Sequence, residues 1–289
     1  MAEEKINGTI ITLFSTASAV GKTLVGCNFA SEVARQGARV CLADFDLQFG
    51  DVCNYLQLQP QRTVADLQKA METQGTGVNI REYLTPFLHI NTSFHVLPCP
   101  KGLDEAYNIS PKILKEIVKR LQGMFDYVII DTTSMFSVTN LELLDMSTIV
   151  MFLGIVDFIP TIKNMKIGSD TLKSLNYDKN KLRFTLNRSD AKTRIGINDV
   201  ERLMGTKFDY VLPNDFAASS KSIQTGIPLV LDDERSTLGE SMKVLVGRYI
   251  NRAFAHAEEE PRRAPGMENV HTTAPVVDDN IGWFSKLFG

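Results

Sequence analysis

The chain has 289 residues, 44% hydrophobic and 22% charged, enough apolar material for one large α/β domain or two small ones with a sizeable core. A net charge of −3 removes the general electrostatic reason to expect nucleic acid as a partner. The four cysteines (Cys27, Cys41, Cys53, Cys99) show no C-x-x-C spacing and the four histidines are scattered, so the spacing patterns of zinc sites are absent, as are G-x-S-x-G and H-E-x-x-H.

In chain order, Met1 to Thr9 is acidic and polar and does not read as a secretory leader. The apolar, β-branched run TIITLF from Thr9 predicts a buried strand, followed by a loop of small residues and a helix opening at Lys22. Strand, small-residue loop and helix with Gly21-Lys22-Thr23 at the join is the layout of a phosphate-binding P-loop. In that reading the backbone N–H groups of Ser18, Ala19, Val20, Gly21, Lys22, Thr23 and Leu24 cradle phosphate, aided by the helix dipole. Lys22 reaches the β and γ phosphates and the Thr23 hydroxyl binds Mg²⁺. The full pattern asks for Gly where Thr16 stands, which leaves open a strand-to-helix turn with an incidental lysine.

Val40 to Ala43 predicts a second strand, ending in Asp44-Phe45-Asp46 and running on to Asp51. Carboxylates at that place suit a ligand site at the strand ends of an open sheet, or a plain polar turn. A helix over Thr63 to Met71 with Thr63 as N-cap is expected, then a strand over Ser93 to Pro98. Ser110-Pro111 opens an amphipathic helix. The run FDYVIIDT ends in Asp131, either a Walker B carboxylate holding Mg²⁺ or a parallel strand that happens to end in Asp. Thr148 to Val156 predicts a strand too short to span a bilayer, followed by a helix from Pro160 to Ser174. Next come a strand over Lys181 to Asn187, a helix over Asn198 to Met204 with Asn198 as N-cap, a short strand at Tyr210 to Leu212, and a last helix from Ser236 to Ala257. Alternating strands and helices predict a mostly parallel sheet covered on both faces. Residues 258–279 are charged and Pro-containing without apolar period, which reads as a disordered linker. At the end, Ile281, Trp283, Phe284, Leu287 and Phe288 fall within a roughly 160° helical arc.

Together these motifs resemble the MinD/ParA family of P-loop ATPases over about residues 7–257: the P-loop, Asp-x-Asp, FDYVIIDT, LNR, and LPND followed by Gly226-Ile227-Pro228-Leu229. The segments Asp44 to Val52, Pro160 to Asn164 and Asn187-Arg188 look most like the CpaE/TadZ branch, which places pilus machinery. The resemblance implies ATP and Mg²⁺ as ligands and a nucleotide-dependent homodimer. It implies Lys22, Asp44 and Asp46 as the catalytic set, with Asp46 on the attacking water. Thr23, Asp44 and Asp131 are implied at the metal, Asn187 as the adenine reader, and Pro213, Asn214 and Asp215 along the base. The family's usual trans-acting lysine is replaced by Ala17, which implies binding with slow hydrolysis. The tail resembles the membrane-targeting helix of MinD. A helix that docks back onto its own domain or onto a partner is the other reading; in the membrane reading one copy is expected to bind marginally and two on a dimer to gain avidity, the linker of about 22 residues reaching roughly 25 Å. The expectation is a cytoplasmic protein attached to the inner membrane, positioning pilus or secretion machinery. The rivals are a non-hydrolysing scaffold, a division-site ATPase, or a DNA-partitioning ATPase, the last disfavoured by the acidic balance.

Overall fold

The inner strands of the central sheet are apolar on both faces, as parallel strands covered by helices must be, whereas the strands toward the edges carry polar residues on one face. The computed structural model describes residues 8–157, 159–189, 196–232 and 234–250. The expected linker at 258–279, the terminal helix at 280–289 and the end of the last helix beyond 250 lie outside the described residues. The eight strands are β1 (Thr9–Phe14), β2 (Val40–Phe45), β3 (Thr85–His89), β4 (Thr92–Leu97), β5 (Tyr127–Thr132), β6 (Ile149–Gly154), β7 (Leu182–Leu186) and β8 (Tyr210–Val211). They form one sheet in the order β3-β4-β2-β5-β1-β6-β7-β8. All pairings are parallel except β3 with β4, a hairpin at the edge.

The alternation along each strand divides the core. In β5, Ile129 packs into one layer while Val128 and Ile130 face the other, and Ile11 and Leu13 of β1 join Ile129. The first layer is closed by α1 (Lys22–Arg35) and α10 (Thr237–Ile250), through Val25, Phe29, Met242 and Leu245. The other face is covered by α3 (Val64–Gln74) and α5 (Pro111–Gln122) over one half and by α7 (Ile159–Ser174) and α8 (Ile197–Met204) over the other. The predicted mostly parallel sheet with two helical layers is thus the observed fold.

Helix ends follow their side chains. Thr63 caps α3 in a full capping box, accepting from the Asp66 N–H while the Asp66 carboxylate accepts from the Thr63 N–H. Pro111 occupies the first turn of α5 behind Ser110. The expected cap at Asn198 is corrected: α8 starts at Ile197 and its N-cap is Gly196, whose extended backbone (φ −73°, ψ 152°) admits the chain one turn-position earlier. Four short helices had no predicted counterpart: α2 (Val52–Tyr55), α4 (Leu103–Tyr107), α6 (Val138–Met146) and α9 (Phe216–Thr225). Two of them, α2 and α9, flank the site described next.

Candidate nucleotide site

The loop between β1 and α1 lies at the carboxyl end of the central strand, where open α/β sheets carry their ligands. Gly21 precedes α1 with φ 94°, a left-handed conformation that suits glycine, and a Cβ there would stand 2.6 Å from the Asn187 Nδ2. No side chain caps α1. Its first turn opens on a cleft of about 1060 Å³ lined by Gly21, Lys22, Thr23 and Leu24. Uncapped N–H groups and the helix dipole make this a place for an anion.

The departure at Thr16 has a structural explanation. The left-handed positions of the loop are Ala19 (φ 58°) and Gly21, so position 16 does not require glycine. The Thr16 methyl instead occupies the space left by Gly168 on α7, where a Cβ would lie 2.4 Å from it. Ala19 is the strained residue, a left-handed conformation costing a side-chain-bearing residue about 1–2 kcal/mol.

Three side chains meet at the start of α1. The Thr23 hydroxyl donates to Asp131 Oδ2 at 2.6 Å. The Lys22 ammonium donates to the Ser134 hydroxyl at 2.7 Å, and that hydroxyl donates to the Ala17 carbonyl at 2.8 Å. Asp131 is buried, and its Oδ1 has no hydrogen-bond partner. Burial pushes its carboxyl up to about 6, against the lowering effect of the Thr23 hydrogen bond and the Lys22 charge. Burial likewise lowers Lys22, while the charges of Asp131 and Asp46 oppose that shift. An orphaned carboxylate oxygen beside a hydroxyl is a hard oxygen donor set of the kind Mg²⁺ takes. The residues present therefore fit the nucleotide and its metal.

The two carboxylates after β2 part ways. Asp46 lines the cleft, accepts from the Phe49 N–H at 3.4 Å, and is raised chiefly by burial. Asp44 is fully buried and does not line the cleft. It sits inside β2, in register with Asp131 on β5. Its oxygens accept from the backbone N–H groups of Val52 (3.1 Å) and Asp46 (3.3 Å), so the structure makes it the organiser of the 46–52 loop. Its side chain also closes on Gly50, where a Cβ would come within 2.5 Å of both oxygens.

Among the remaining predicted residues, Ser18, Ala19, Asn187, Pro213, Asn214 and Asp215 line the cleft, while Val20 is buried in its wall. Asn187 Nδ2 donates to the Val20 carbonyl at 2.9 Å and its Oδ1 accepts from the Arg188 N–H at 3.0 Å. One amide hydrogen and one lone pair are left for a base. Asp215 caps α9 through the Ala218 N–H at 3.0 Å. The membrane-facing set Ile281, Trp283, Phe284, Leu287 and Phe288 lies outside the described residues.

Sequence reasoning missed Ser134, the partner of Lys22 across 112 positions. It also missed the bond that closes the far side of the cleft, Tyr55 on α2 to Ser222 on α9 at 2.6 Å. Tyr55 additionally accepts from Asn28 on α1, whose Oδ1 receives the Val230 N–H. None of these residues belongs to a local pattern.

A glycine-bent loop between a central strand and a helix, with lysine and threonine meeting a buried aspartate from the neighbouring strand, defines a P-loop nucleotide-binding protein. A family profile described as an AAA domain matches residues 8–166. The septum site-determining protein MinD of Bacillus subtilis is 28% identical over 124 residues, 43% of this chain and 44% of that protein. The chain's alignment thus spans under half the length of that relative. Among solved structures, a ParA family ATPase from Chlorobium tepidum superposes with TM-score 0.73 at 19% identity, covering 82% of this chain and 98% of the other. MinD from Pyrococcus horikoshii, complexed with Mg-ADP, gives TM-score 0.73 at 19% identity over 87% of this chain and 100% of the other. The chain belongs to the AAA-domain family of that profile, and its fold is like that of the MinD and ParA structures.

Proposed function

We propose that the protein binds ATP with Mg²⁺, hydrolyses it slowly, and uses nucleotide-dependent dimerisation to position pilus or secretion machinery at the inner membrane. The observation that carries the nucleotide part is the meeting of Lys22, Thr23 and Asp131 at the uncapped start of α1. Lys22 exchanges the Ser134 hydroxyl for phosphate oxygens, and Thr23 and the unpartnered Asp131 Oδ1 hold the metal side. Mg²⁺, when bound, neutralises charge on the phosphates and polarises the bond to be broken. Asp46, the carboxylate that faces the cleft, orients the attacking water, and Asp44 holds the loop that presents it. Ala17 contributes no cation to the developing charge, which fits slow turnover and also favours a second reading, a non-hydrolysing scaffold.

The pilus assignment is supported by the 44–52 run and the Asn187-Arg188 pair, which resemble the CpaE/TadZ branch. The membrane assignment is supported by the apolar arc of the tail. The deciding assay is ATP turnover of the wild type beside Lys22→Ala. A rate abolished by the substitution supports an ATPase, whereas equal rates leave the scaffold. Deleting residues 280–289 is expected to abolish co-sedimentation with anionic liposomes, and in the intact chain the emission of Trp283, the single tryptophan, is expected to shift to the blue when the liposomes are added. Unchanged sedimentation refutes the membrane role.

A further inference from the structure

Among the described residues, the cleft's lining carries two cations, Lys22 and Arg188, against the carboxylates of Asp46, Asp51 and Asp215, little positive charge for a polyphosphate. Lys22 belongs to the P-loop. Arg188, just past the end of β7, has no role so far, and its surroundings are unusual.

Arg188 has φ 53°, a left-handed backbone that an arginine adopts only at a cost. Such strain is retained where neighbouring structure holds it, often at ligand sites. Here Asn187 grips the Val20 carbonyl, and the Arg188 guanidinium donates to the next carbonyl back, Ala19, at 3.2 Å. Ala19 is itself left-handed. Two consecutive residues after β7 therefore hold two consecutive carbonyls of the phosphate loop, and both ends of the Arg188–Ala19 contact are strained.

The strained turn sends a long side chain back over the loop, 42% exposed and facing the cleft. Its other interaction among the described residues is an ion pair with Asp157 at 3.9 Å, too long for a hydrogen bond. A guanidinium has five N–H donors, so most of them remain for an anion in the cleft. A tether to one neutral carbonyl does not explain a full charge held on the rim of an acidic cleft.

We infer that Arg188 contacts the phosphate chain of the bound nucleotide from the same subunit, supplying from β7 the second cation that the phosphate loop itself lacks. This rests on the nucleotide reading of the cleft. The contact is made in cis, so it acts in a monomer and does not wait for a partner.

The test is isothermal titration of Mg-ADP into the full chain as wild type, Arg188→Ala, Arg188→Gln, Arg188→Lys and Lys22→Ala, with melting temperatures measured alongside. Glutamine keeps a donor for the Ala19 carbonyl and discards the charge. Lysine keeps the charge and discards the fork. Arg188→Ala and Arg188→Gln are expected to weaken ADP roughly ten- to hundredfold, the range for a charge-assisted hydrogen bond, and Arg188→Lys to recover part of that loss. The inference is overturned if Arg188→Gln binds like the wild type, because Arg188 is then only a tether. It is also overturned if Arg188→Lys is as weak as Arg188→Ala, or if all three bind like the wild type. Loss of binding in Lys22→Ala beside intact Arg188 variants sinks this inference alone. A wild type that binds no ADP sinks the nucleotide reading with it.

Discussion

Replacing Asp131 by asparagine separates what the site needs for its ligand from what the fold needs for stability. Burial raises this carboxyl from the ordinary 3.8 to about 6. The folded protein therefore holds the Asp131 proton more tightly than the unfolded chain does. The contribution favours folding at low pH, declines as pH rises from about 4 to 6, and is lost above that window. Integrating between those two values, this one group makes the fold about 1 kcal/mol more stable at pH 5 than at pH 7. Asparagine cannot ionise, keeps an oxygen for the Thr23 hydroxyl, and places an amide at the unpartnered Oδ1 position. That amide carries a penalty of about 1–3 kcal/mol, but one that does not vary with pH. The variant's absolute stability is thus less telling than its pH dependence. Urea denaturation of both proteins without nucleotide, at pH 5 and pH 7, is expected to show the wild type gaining about 1 kcal/mol on the variant at the lower pH. Asp44, also raised by burial and by the Asp131 charge, contributes with the same sign in both proteins, so the variant keeps some pH dependence. Adding Mg-ADP at pH 7 is expected to stabilise the wild type and leave the variant unmoved. A difference that is flat in pH, or that favours the variant at pH 5, refutes the account of a buried carboxylate held for a cation.

The other expectations are smaller and local. Ala19→Gly removes a left-handed side chain and is expected to raise stability by about 0.5–1 kcal/mol, after allowing for the freer unfolded glycine; a loss in thermal melts speaks against the strain. Gly168→Ala drives a Cβ into the Thr16 methyl and the Phe152 ring, so about 1–3 kcal/mol is lost, and Thr16→Gly in the same chain is expected to restore part of it. Additive losses in that double-mutant cycle contradict the contact. Thr63→Ala breaks the capping box at a cost of about 1 kcal/mol and leaves nucleotide affinity unchanged, as measured by melting and by ADP titration.

Much of the sheet is legible in the sequence because the inner parallel strands, such as TIITLF and IVMFLG, are short apolar runs whose two faces are both buried. The motifs at the strand ends are legible because phosphate and Mg²⁺ chemistry constrains neighbouring residues, as in Gly21-Lys22-Thr23. The edge strand Thr85–His89 gives no such signal. It contains Pro86, exposes Leu88, and buries only Phe87 fully, so its run is neither continuous nor cleanly alternating. Asp44 shows a second limit. Its chemistry points to the ligand, yet whether a carboxylate at a strand end turns outward or is used by the loop depends on where Val52 returns, eight residues later. Ser134 and Ser222 are legible only in three dimensions, since each acts on a residue more than a hundred positions away.

The place of β1 in the sheet also sets a timetable for synthesis. It is made before every other described strand of the sheet, yet its neighbours are β5 and β6, which begin at Tyr127 and Ile149. At about 5–20 residues per second, TIITLF waits roughly 6–24 s beside the ribosome without either strand it will pair with. Its six residues are apolar or β-branched and, once folded, none is exposed to solvent. The nascent chain is therefore expected to recruit a holding chaperone on this stretch early, and to release it once β5 has emerged.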